Sequence, residues 1–135
     1  MLTNEELGLK ADKDRFDAGR KVAEALLGRM STELQKVSLI EMRLATRTGW
    51  GETAIKFVRE GTDKQLAIAA KFQGVINAAI VFLDVNPSPS VANKQEYVDW
   101  AVKLESEAST VEAGYKTFVR EVLGDFIKLA GIKPP

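Results

Sequence analysis

The chain of 135 residues contains no cysteine and no histidine. Those two absences remove thiolate and imidazole metal ligands, cysteine nucleophiles and every Ser/His triad. No phosphate-binding glycine loop, zinc motif or nucleophile elbow is present either. Carboxylates can act as acid and base, but spacing sets no pair of the 19 Asp and Glu apart from the rest. The chain therefore reads as a non-enzyme, with no catalytic residue, no cofactor and no metal assigned. Net charge is absent too, because 19 Lys and Arg balance the 19 acids, so no global field draws the chain to nucleic acid or to an anionic membrane.

Met1 to Asp17 is acidic and polar, where a signal peptide starts basic and turns apolar. The expected location is cytoplasmic or within a viral particle. Asp12, Asp14 and Asp17 lack the glycine and terminal Glu of a calcium loop and read as a solvated face.

Proline is confined to Pro87, Pro89, Pro134 and Pro135, leaving long stretches without the residue that most reliably interrupts a helix. No β-patterned run exists to pair with Val81–Val85. These features predict an all-α single domain, an elongated bundle of four to six helices, with N-terminal helices over 1–61 and a C-terminal helical hairpin over 62–135.

Thr3 and Glu6 have capping-box spacing and mark a helix start near residue 4. An apolar stripe follows through Phe16, Gly19, Ala23, Leu26, Met30, Val37, Ile40 and Leu44, with Glu33 where a further apolar residue is expected. Gly28 and Ser31-Thr32 leave open whether residues 16–47 form one helix or two. Gly49-Trp50-Gly51 predicts a turn, Glu52 to Glu60 a short helix ended by Gly61, and Thr62 with Gln65 the cap of the next helix. From Leu66 to Val85 the chain is apolar on most sides and reads as a central buried helix. Lys71, Gln73, Asn77 and Asp84 within it argue against a membrane span.

Asn86-Pro87-Ser88-Pro89-Ser90 is the clearest loop. Beyond it Asn93 and Glu96 have cap spacing, and apolar residues recur at Tyr97, Ala101, Leu104, Ala108, Val111, Tyr115, Phe118, Val122, Phe126 and Leu129. Their near-seven-residue period predicts one long helix. At about 1.5 Å per residue a helix over 93–130 spans roughly 55 Å, against a diameter of roughly 35–40 Å for a compact domain of this size. Either it bends near Gly114 or its end meets another chain. Tyr115, Phe118, Val122, Phe126 and Leu129, together with Trp50 on its glycine turn, are the partner-binding candidates, and a homo-oligomer or a protein partner is expected.

Leu44 to Gly61 resembles the helix-turn-helix of lambda-repressor-like DNA-binding domains, with Ala45, Gly49, Ile55 and Val58 in the packing roles and Gly61 ending the second helix. The resemblance implies DNA binding, with Arg43, Arg47, Lys56 and Arg59 on phosphates and Thr53 among the outward-facing positions. Glu52 and Glu60 would face the same phosphates unfavourably, so nucleic acid ranks below a protein partner. Small helical proteins of this kind are common in phage particles and as inhibitors. The expected function is accordingly an interaction role of assembly, adaptor or inhibitor type, with DNA binding as the alternative.

Overall fold

A computed structural model describes residues 1–45 and 52–121, and within these it describes residues 40, 41, 43–45, 52–54 and 57 by their backbone alone. The chain is all-α, and the described residues form three helices where four to six were expected for the chain: α1 (Asn4–Ala45), α2 (Glu52–Val85) and α3 (Lys94–Val119). Each helix packs on the other two. Arg15 reaches Glu105 and Glu33 reaches Tyr115, so α1 and α3 run parallel. Phe16, near the start of α1, meets Phe82 at the end of α2, so α2 runs against both.

The helix count falls because three local stop signals have other uses. The capping box at the start of α1 does form: Glu6 N–H donates to Thr3 Oγ1 at 3.1 Å, and Thr3 N–H donates to Glu6 Oε2 at 3.3 Å. Downstream, Thr32 is not a second N-cap, because its hydroxyl donates back to Gly28 O at 3.1 Å and the helix continues. The buried stripe then passes through Leu34, which fills the place where Glu33 had broken the pattern. At 42 residues α1 spans roughly 60 Å, so α1 is the element that elongates the molecule.

Gly61 likewise ends nothing. It lies inside the 34-residue α2, where a Cβ would stand 2.6 Å from Phe118 Cε2. Close packing is its use. Thr62 is not a cap; its hydroxyl donates to Val58 O at 2.8 Å within the same helix. Asn93 precedes α3 without a side-chain cap bond. Its amide instead braces the preceding loop, accepting from Ser90 N–H at 2.6 Å and donating to Ser88 O at 3.2 Å. That loop joins α2 to α3, and α1 exceeds both in described length.

The core runs along the bundle axis. Phe16, Ala23, Leu26, Met30, Leu34 and Val37 from α1 meet Val58, Phe72, Ile76, Ala79 and Phe82 from α2. α3 contributes Tyr97, Ala101, Leu104, Ala108, Val111, Tyr115 and Phe118, which is the first part of the expected stripe. Its helix continues through Gly114 to Val119 without interruption. One aromatic ring from each helix closes the loop end: Phe16 and Phe82 lie 5.4 and 4.9 Å from Tyr97, both edge-on, the arrangement that ring quadrupoles favour. Trp100 packs half-buried beside Phe82, with Lys103 Nζ 5.4 Å from its centroid. On the same turns Asp99 accepts from Gln95 Nε2 at 2.9 Å.

Candidate functional site

The inner surface of α2 follows a seven-residue repeat. Val58, Thr62, Gln65, Ala69, Phe72, Ile76, Ala79 and Leu83 are spaced alternately four and three apart and are buried or half-buried. A helix of about 3.6 residues per turn then puts positions 67, 70, 74, 78, 81 and 85 on the opposite side. These are Ala67, Ala70, Gly74, Ala78, Val81 and Val85, and all are exposed, with Leu66 at their edge. Val81 and Val85 keep 60% and 73% of their surface in solvent, and Leu66 keeps 50%. The central helix is thus buried on one face only, which corrects the expectation that it is enclosed.

Most outward helix faces are charged, and α2 carries Lys71, Asp63 and Asp84 only at the flank or ends of this strip. The polar pair at its edge is already satisfied internally, because Gln73 Nε2 donates to Asn77 Oδ1 at 2.9 Å. Val58–Val85 is long and apolar enough to cross a membrane by length and composition, and 22% of its most apolar eighteen-residue stretch is buried. A span over that stretch would hold the Lys71 ammonium inside the hydrocarbon about one helical turn from its centre, where a charge is costly. A protein surface, which lets the ammonium reach water at the rim, avoids that cost.

Beside this face, α2 and α3 leave a groove lined by Gly61, Gln65, Ile68, Ala113, Gly114 and Phe118. Gln65 is 6% exposed, and its Oε1 has no hydrogen-bond partner. On the α1–α3 side Tyr115 O–H donates to Glu33 Oε2, and Glu112 meets Lys116 at 2.8 Å and Arg29 at 3.8 Å, while on α1 Arg20 Nε, Asp12 Oδ2 and Asp17 Oδ1 are buried without a hydrogen-bond partner. Burial is the first cause, and the Glu33 bond the second, that pushes the Tyr115 phenol above its ordinary value. Among the described residues no group of His, Cys, Asp or Glu is placed to hold a metal ion.

The partner-binding candidates divide. Tyr115 and Phe118 are buried inside the bundle, so they form core rather than an interface; Gly61 and Glu33 are what they meet. Trp50, Val122, Phe126 and Leu129 lie outside the described residues, as does Arg47 of the DNA candidates, and the side chains of Arg43 and Thr53 lie outside them as well. Lys56 is exposed and stands 3.8 Å from Glu60, and Arg59 is exposed. The helix resembling a reading head does not stop at Gly61 but continues to Val85. The outward α2 face escaped the sequence reading, although its spacing was legible there as a second stripe offset from the first.

No protein-family model, curated protein or solved structure matches the chain.

Proposed function

We propose that this protein is a non-enzymatic helical interaction module of assembly, adaptor or inhibitor type, acting through self-association or a protein partner. The observation that carries the reading is the outward apolar face of α2, where Ala67, Ala70, Ala78, Val81 and Val85, with Gly74 among them and Leu66 at the edge, line one side of a helix whose other side is already buried. An uncharged strip of this length is unusual on a solvated surface, and apolar patches rimmed by polar groups mark contact sites. α2 packs along its inner face on α1 and α3, so the strip lies on a helix already ordered by the bundle and needs little ordering on binding.

The test uses the full chain and a variant carrying Leu66→Asp and Val81→Asp. Gel filtration with light scattering is run on both, followed by capture from the native host with both as bait. Association of the parent with itself, or with one protein that the variant releases, is the expected result. A parent that elutes as a single chain and retains nothing the variant loses overturns the reading.

DNA binding through residues 44–61 is the second reading, and the exposed Lys56 and Arg59 favour it. It ranks lower because Glu60 shares the face with Lys56, and an acid there repels the phosphates that Lys56 would contact.

A further inference from the structure

We draw no further inference here: the strongest candidate, the groove between α2 and α3 beside Gln65, carries nothing, because its rim mixes Glu60 and Glu121 with Lys64, the unpartnered Gln65 Oε1 is itself closed to solvent, and nothing in the structure shows what covers it.

Discussion

The ring of Phe118 lies over Gly61, so that a methyl group added at residue 61 would stand 2.6 Å from Phe118 Cε2 and 3.2 Å from Cδ2. This contact between α3 and α2 explains a glycine inside a helix, where its conformational freedom is a cost. Gly61→Ala must displace a buried ring, and overpacking outweighs the better helix propensity. The expected result is a net loss of about 1 kcal/mol in urea unfolding. Gly28 and Gly114 have nothing within 4 Å of the added methyl, so Gly28→Ala and Gly114→Ala should each stabilise by about 0.5–1 kcal/mol. Equal signs at all three positions would show that the Phe118 contact does not control residue 61.

Gln65 is the buried polar group without compensation on the inner stripe, since its Oε1 has no partner. Removing an unsatisfied acceptor and keeping the volume should help. Gln65→Leu is expected to raise stability by about 1 kcal/mol, the desolvation cost of such a group. Destabilisation would show that the amide holds a bound group in the α2–α3 groove.

Both tyrosines of the chain are perturbed in the same direction. Burial raises Tyr97, with Asp17 adding to it, and burial raises Tyr115, with the bond to Glu33 adding to it, each from an ordinary 10.0. A folded pKa above the unfolded one means that the native state holds the proton longer. Its contribution is complete below pH 10 and is lost as pH rises through the folded value. Absorbance at the phenolate band should therefore show no normal tyrosine in the folded chain, and urea stability should begin to fall above about pH 10. Tyr115→Phe should shrink that fall. Two phenols titrating at the ordinary value would refute the burial of both rings.

The three rings at the loop end bind α1 to the α2–α3 hairpin. Phe16 is fully buried and touches Phe82 at 5.9 Å and Tyr97 at 5.4 Å. Phe16→Ala should cost about 3–5 kcal/mol. Trp100→Ala, at a half-buried position beside Phe82, should cost clearly less. Comparable losses would place the centre of this cluster elsewhere.

The second functional reading has its own decisive measurement. Duplex binding is followed at two salt concentrations in the parent and in the double variant Arg47→Ala, Lys56→Ala. The interaction reading predicts no measurable binding at low salt. Binding that weakens steeply with salt and is lost in the double variant would restore DNA as the partner.

The stripe of α3 was fully legible over its described length, because burial against two neighbours leaves a regular period from Tyr97 to Phe118. So was the cap at Thr3, whose partner lies three residues away. Local reading failed where a residue's partner lies far along the chain. Gly61 has the look of a terminator until Phe118, from another helix, is set against it. Thr32 and Thr62 carry cap chemistry, but a hydroxyl can equally bond back to the carbonyl four residues earlier, as both do. With those stops removed, the expected set of short helices becomes α1 and α2.

The candidate site shows the same division. Apolarity on both sides of residues 66–85 was visible in the sequence, but hydrophobic pattern alone cannot say which side is buried. What the sequence by itself determined was the class: all-α, without cysteine or histidine chemistry, and with a stripe that needs partners. The tertiary structure decided that Tyr115 and Phe118 belong to the core and that the strip through Gly74 faces outward. The physical reason is the number of helices: among the described residues α2 touches two neighbours, both on one side, and two neighbours cannot cover a helix that is apolar all round.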